Sequence, residues 1–370
     1  MPGLAETTAL LARLRRTTQV IAFAGDSDET PLTETADFGP NPAGLRMLSY
    51  VPKALPPGAP LVVVLHGCGQ RAAAHAVAGG WVTLADRYGF AVLAPEQSPA
   101  NNPSRCFNWF DPKARVRGQG EAASIRAMVA HAITEHRLNA RRVFVVGLSA
   151  GGGMAAAILA NYPEVFAGGA IIAGVPFGVA EDLTSALGVM HAGSSLSAGV
   201  LGGLARGAAP TSSSLPRISI WHGDVDATVT ALNAGAIARQ WAAANDLPTE
   251  PDEAQALPGR TRTLWRSPRT GQVLIECNLV RGMGHGTPMA TAGADGLGAV
   301  APFMIEAGVS STLEIARFWG LDGSARARRE VAPSASDGAE GKIQGFNLRQ
   351  TAAALVRIVA RALRAIGLIK

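Results

Sequence analysis

Short, continuous apolar runs punctuate the chain: LVVVL at Leu61 to Leu65, FAVLAPE at Phe90 to Glu96, RVFVVG at Arg142 to Gly147 and RISIWHG at Arg217 to Gly223. Each is rich in β-branched residues and lacks alternation, which predicts strands covered on both faces. LRMLSYVP, before the PPGAP break, alternates instead and reads as an edge strand. Between the runs lie segments of helical character, HAVAGGWVTLADRYG, GEAASIRAMVAHAITEH and GGGMAAAILANYP. Buried strands alternating with amphipathic helices predict an α/β fold, a doubly wound, mostly parallel sheet with helices on both faces. Sites in such sheets lie beyond the carboxyl ends of the strands.

The ends of the chain follow other patterns. A helix-like stretch over residues 5–17 and a polar loop to about Pro42 form an N-terminal extension, residues 1–42. The catalytic-looking domain takes residues 43–322. Residues 323–370 follow as a linker, containing SASDGAEGK, and a basic segment, NLRQTAAALVRIVARALRAIGLIK. As a helix that segment is apolar at Leu355, Val359, Leu363 and Ile366 and cationic at Arg357, Arg361 and Arg364. It is a candidate for contact with a granule, a membrane surface or a partner subunit, or it packs back on its own domain.

Composition narrows the class. With 370 residues, 48% apolar and 16% charged, the chain buries a large core. Its formal charge of +5 comes mainly from the C-terminal arginines and lysines, and no basic stripe is interleaved with aromatics, so a nucleic-acid partner is not expected. MPGLAETTALLARLRR has no continuous apolar core of the length a secretory signal needs, and no apolar run reaches membrane-spanning length. The expected compartment is the cytoplasm. Cys68, Cys106 and Cys277 are too few for a disulfide framework and form no zinc-type pair, though they leave room for one bridge. No metal or cofactor is expected.

The unusual chemistry sits at the strand ends. Gly147-Leu148-Ser149-Ala150-Gly151 follows a buried strand and opens a helix, the context of a nucleophile elbow. By itself a serine between glycines serves equally as a helix cap in a tight turn. A serine nucleophile needs a base and an acid to orient it, and in this architecture they follow the serine in the order acid, then histidine. Asp224 and Asp226 come after RISIWHG, and His285 comes later in RGMGHGTP. Taken singly, the aspartates read as turn or cap residues and His285 as a loop histidine. Together, in the required order, they read as a triad. LHGCGQ, just past an early strand, is placed to supply an oxyanion hole, with the backbone N–H groups of Cys68 and Ala150 as the expected donors. His66 is expected to brace this loop by hydrogen bonds.

The motifs LHGCGQ, CFNWFDP, GLSAGGGMAA, ISIWHGDVDATV, NAGAIARQW and GMGHGTP, in this order and at these intervals, resemble the poly(3-hydroxybutyrate) depolymerase family of α/β-hydrolase esterases. The likeness runs from about Arg46 to Gly320. It implies serine hydrolysis of short-chain hydroxyalkanoate or related aliphatic esters, or of feruloyl and acetylxylan esters, which share the pattern. It assigns the acid of the HGxxDxxV context to Asp226, with Asp224 as runner-up. It also places Cys68 and Cys106 where family members carry cysteines able to bridge, which would favour an exported protein over a cytoplasmic one.

The substrate pocket is less legible. Asn108, Trp109 and Phe110 are candidates for the wall of an acyl pocket, or pack in the core. The Gly-, Ser- and Ala-rich stretch from Ile171 to Pro216, with Met190 as a candidate substrate contact, is either a cover over the site or a surface loop with two short helices. A separate polymer-binding module of the kind extracellular family members carry is not recognisable. The second functional class is a non-catalytic granule- or surface-binding protein on a hydrolase scaffold. The intact serine, acid and histidine argue against it.

Overall fold

The computed structural model describes residues 30–323 apart from residue 212. The chain runs β1 (Thr33–Thr35), β2 (Arg46–Tyr50), β3 (Leu61–Leu65), α1 (Ala72–Ala78), α2 (Trp81–Tyr88), β4 (Ala91–Glu96), α3 (Pro112–Arg115) and α4 (Gly120–Glu135). It continues through β5 (Val143–Leu148), α5 (Ala150–Asn161), β6 (Gly168–Ile172), α6 (Leu183–Ala192), α7 (Ala198–Ala208), β7 (Arg217–Gly223) and α8 (Leu232–Ala244). The last elements are β8 (Glu253–Leu257), β9 (Arg260–Arg266), β10 (Val273–Val280), β11 (Thr287–Met289), β12 (Met304–Glu306) and α9 (Ser311–Trp319).

Ten strands form one sheet in the order β1-β2-β4-β3-β5-β6-β7-β10-β9-β8. The run from β4 to β10 is parallel throughout, while β1, β2, β9 and β8 pair antiparallel at the two margins. Their apolar continuity has the cause the sequence suggests. In β3, Leu61, Val63 and Leu65 face one core with helices α4, α5 and α8, while Val62 and Val64 face another with α1, α2 and α9. In register across the sheet, Val62 pairs with Phe144 and Val64 with Val146. Each such buried side chain contributes roughly 1.5–3 kcal/mol.

One expectation changes and one strand is added. LRMLSYVP is not the edge: β1, from the stretch assigned to the N-terminal extension, pairs with β2 and caps the sheet, and Leu32 and Phe38 enter the cores. The strand β6 was hidden because GGAII carries little β-branched signal. Gly169 makes room for Leu159, whose Cδ1 a Cβ there would approach to 2.2 Å. The segment from Ile171 to Pro216 carries the two helices α6 and α7. The predicted helix over residues 5–17 and the linker and basic helix within 323–370 lie outside the described residues, Gly323 excepted.

The parallel run puts the carboxyl ends of β3, β4, β5, β7 and β10 on one side of the sheet. The loops that leave them carry His66 to Gln70, Gln97 to Phe110, Ser149, Asp224 to Asp226 and Arg281 to His285.

Candidate active site

Ser149 sits at the turn from β5 into α5 with φ 56° and ψ −117°, in the left-handed half of the map that a β-carbon disfavours. The turn is held on both sides. The Ser149 N–H donates to the Ile172 carbonyl at 2.9 Å, and Gly153 N–H donates to the Ser149 carbonyl at 2.9 Å. The small residues of this stretch serve contact as well as conformation. A Cβ on Gly151 would stand 2.4 Å from the Leu65 carbonyl oxygen, so the first turn of α5 seats directly against the end of β3. Every residue of α5 is buried, with the helix N-terminus, where negative charge is favoured, beside the serine hydroxyl.

His285 and Asp226 converge on this serine from two later loops. The Ser149 hydroxyl lies 2.9 Å from His285 Nε2, and His285 Nδ1 donates to Asp226 Oδ2 at 2.7 Å. Gly223 makes the convergence feasible: a Cβ there would meet the Met283 carbonyl oxygen at 2.1 Å, so the loop bearing His285 lies flat on the end of β7. Asp226 is buried, and its Oδ1 accepts the N–H groups of Thr228 at 2.8 Å and Val229 at 2.9 Å. Burial pushes its carboxyl up, but donors on both oxygens, His222 and His285 foremost, more than reverse this and hold it well below the usual carboxylate range. Asp224 is exposed and accepts Gly282 N–H at 2.7 Å, bracing the loop rather than meeting the histidine.

The loop after β3 uses its amides selectively. Gly67 N–H goes to Gln70 Oε1 at 2.8 Å, Gly69 N–H to the Ser104 carbonyl at 2.7 Å, and Gln70 N–H back to the Gly67 carbonyl at 3.3 Å. Among the described residues, Cys68 N–H and Ala150 N–H have no protein acceptor. His66, fully buried, supports this loop as expected: Gln97 N–H donates to its Nε2 at 3.1 Å, which leaves Nδ1–H to donate to the Gly67 carbonyl at 2.8 Å. Burial lowers the His66 pKa, in keeping with a neutral ring. Because C=O and N–H of one peptide point oppositely, fixing the Gly67 oxygen aims the Cys68 N–H the other way. Cys68 is also joined by a disulfide to Cys106, with Cα atoms 4.2 Å apart.

The residues proposed from sequence for the acyl pocket do other work. Asn108 donates its backbone N–H and its amide to Glu121, at 2.8 and 2.7 Å, and accepts from Asn102 at 3.0 Å, so both ends of its amide are committed. Trp109 is buried against α5, where a Cβ on Gly153 would come 2.7 Å from its Cγ. Both therefore brace the loop of Cys106; Trp109 is buried, while Asn108, Phe110 and Met190 are half-buried. Met190, on α6, accepts Thr230 N–H on its carbonyl at 2.8 Å, which ties that helix to the loop of Asp226.

Two groups went unnoticed in the sequence. Glu121 anchors the loop from within, and burial, against the donors Gln97 and Asn108, raises its carboxyl to about 7. His222, the histidine of ISIWHGD, lies fully buried beside Asp226. Its signal was its place one residue before the strand-ending glycine, on the same strand end as the acid.

The pattern of the family described as "Esterase PHB depolymerase" matches residues 48–258. The chain is 39% identical over 319 residues to poly(3-hydroxyalkanoate) depolymerase C of Paucimonas lemoignei, covering 86% of this chain and 77% of that protein. It is 34% identical over 220 residues to probable acetylxylan esterase A of Aspergillus fumigatus, covering 57% of this chain but only 58%, less than two thirds, of that protein. In fold it matches the solved acetyl xylan esterase from Aspergillus awamori with a TM-score of 0.66 at 24% identity, over 78% of this chain and 99% of that one. The sheet thus has the α/β-hydrolase fold.

Proposed function

The chain belongs to the Esterase PHB depolymerase family, and from that premise we propose a serine esterase that cleaves short-chain hydroxyalkanoate and related aliphatic esters through an acyl-enzyme on Ser149. The observation that most supports this reading is the unbroken chain of hydrogen bonds from Ser149 through His285 to Asp226, at 2.9 and 2.7 Å. As the Ser149 oxygen attacks the ester carbonyl, its proton passes to His285 Nε2, and Asp226 stabilises the imidazolium and fixes its Nδ1–H. The carbonyl oxygen, now negative, is stabilised by the N–H groups of Cys68 and Ala150, donors without an acceptor among the described residues. His285 then protonates the leaving alkoxide. Water, deprotonated by the same nitrogen, attacks the acyl-enzyme carbonyl; the bond to the Ser149 oxygen breaks, the acid is released and His285 returns the proton to Ser149.

The relative named as a polyhydroxyalkanoate depolymerase covers most of this chain, which favours hydroxyalkanoate esters over acetylxylan or feruloyl esters. The Cys68–Cys106 bridge supports residence in an oxidising compartment rather than the cytoplasm expected from the N-terminus. The test is turnover of p-nitrophenyl butyrate by the protein and by Ser149→Ala, followed by hydroxybutyrate oligomers, polymer film, a feruloyl ester and acetylated xylan. Absent turnover, or equal turnover by both proteins, would sink the esterase reading. Preference for feruloyl or acetylxylan esters would move the substrate class.

A further inference from the structure

His222 is the penultimate residue of β7, with its ring buried on the side of the Asp226 loop. Its Nε2 lies 2.8 Å from the Val229 carbonyl oxygen and 3.3 Å from Asp226 Oδ2. Both are acceptors facing one nitrogen, so Nε2 carries the ring proton. Nδ1 is buried without a hydrogen-bond partner among the described residues. Leaving a buried polar atom unpaired costs stability, and an apolar side chain would fill this space without that cost. What the imidazole adds here is the Nε2–H alone.

That N–H completes a small ring of bonds. Val229 donates its N–H to Asp226 Oδ1 and accepts from His222 with its carbonyl, while His222 reaches the other carboxylate oxygen. Oδ2 therefore receives two histidines, His285 at 2.7 Å and His222 at 3.3 Å. Without His222, the carboxylate would be pinned by the backbone through Oδ1 only, leaving Oδ2 free to turn away from His285.

We propose that His222 is a positioning residue of the esterase site: its Nε2–H fixes the Asp226 carboxylate toward His285 and takes up part of the negative charge that would otherwise act on the base. The inference rests on the reading of Ser149, His285 and Asp226 as a catalytic triad. Two consequences follow from the geometry. Losing the donor loosens Asp226 and lowers kcat, while leaving substrate contacts, and hence KM, unaffected. It also returns carboxylate charge to His285, which makes the base hold its proton to higher pH. Asp226 is the ionisable group paired with the His222 ring among the described residues, and His285 shares its oxygen.

The experiment compares His222→Leu and His222→Gln in the full chain, with Asp226→Asn alongside, for kcat, KM and the pH profile of kcat/KM on p-nitrophenyl butyrate. Glutamine keeps an N–H near the place of Nε2; leucine removes it. His222→Leu is expected to lower kcat about 10-fold, the worth of one hydrogen bond to a charged group, with KM within about twofold. Its acid limb is expected to move up by about half a pH unit. His222→Gln restores most of kcat and returns the limb. A leucine variant with unchanged kcat and limb, an effect on KM alone, or a glutamine variant no better than leucine overturns the proposal. Should leucine prevent folding, monitored by circular dichroism, the glutamine variant decides by the same limits, and failure of both to fold marks His222 as structural only. If Asp226→Asn keeps full turnover, the triad reading itself fails; if it is inactive while His222→Leu behaves as the unmutated protein, only this inference does.

Discussion

Gly147 and Gly151 stand so close at the turn bearing Ser149 that a Cβ on the first would lie 2.1 Å from the carbonyl oxygen of the second. The atom it meets is backbone in the first turn of α5, so no side-chain rotation relieves the clash. Gly147→Ala is therefore expected to move Ser149 away from His285, lowering kcat by two orders of magnitude or more, of order ~10², and destabilising the fold by roughly 1–3 kcal/mol. Gly188→Ala, on α6 with nothing near the added carbon, is the control and is expected to be neutral or to stabilise by about 0.5–1 kcal/mol. Thermal melts and p-nitrophenyl butyrate kinetics on both variants check the contrast.

The same pair shows why some of this molecule was legible in its sequence and some was not. Runs such as LVVVL and RVFVVG announce strands because burial on both faces demands apolar residues at consecutive positions. The order of Ser149, Asp226 and His285 is legible because the topology places the loops after β5, β7 and β10 on one side of the sheet. Close approach leaves a weaker trace. GGAII forms a central strand through glycines that make room for Leu159, and glycine in sequence reads as a turn. Asn108 and Trp109 have the composition of a pocket wall, yet their partners, Glu121 and Gly153, are distant in sequence and chemically unremarked. His222 was passed over because its meaning depends on a partner four residues on, after the chain has left the strand.

Asp226 and Asp224 make a discriminating pair because they are neighbours with different partners. Asp226→Asn replaces an acceptor for His285 Nδ1–H with an amide able to present a donor there, favouring the wrong tautomer of the base, and is expected to reduce kcat by about 10⁴. Asp224→Asn retains an oxygen for Gly282 N–H and is expected to stay within about threefold of the unmutated protein, the loss of a modest exposed hydrogen bond. Steady-state kinetics decide, and the reverse ranking would exchange the two roles.

The Cys68–Cys106 bridge joins Cys68, whose amide has no acceptor among the described residues, to the loop that Glu121 anchors, across 38 residues of sequence. A cross-link of this span removes unfolded-chain entropy worth about 3–4 kcal/mol. The double replacement Cys68→Ser with Cys106→Ser is expected to lower the melting temperature by several degrees, on the order of ~5 °C or more. It is also expected to lower kcat more than it raises KM, because the amide matters most when the oxyanion forms. Unchanged kcat with a lowered melting temperature would confine the bridge to stability.

Glu121 ties this loop to pH. Its two oxygens accept from Gln97 Nε2, Asn108 N–H and Asn108 Nδ2, yet burial outweighs these donors and raises the carboxyl to about 7 from the 4.5 of the unfolded chain. Between those values the folded protein keeps a proton that the unfolded chain has released. The stabilisation is thus complete below about pH 4.5 and is lost as pH rises through about 7. Glu121→Gln cannot ionise, so the difference in unfolding free energy between the two proteins should change across that window and level off above it. The variant pays at every pH for meeting three donors with one acceptor oxygen, so the slope rather than the absolute stability carries the test. Urea unfolding from pH 4.5 to 8 measures it, and parallel curves for the two proteins would show that Glu121 does not titrate there.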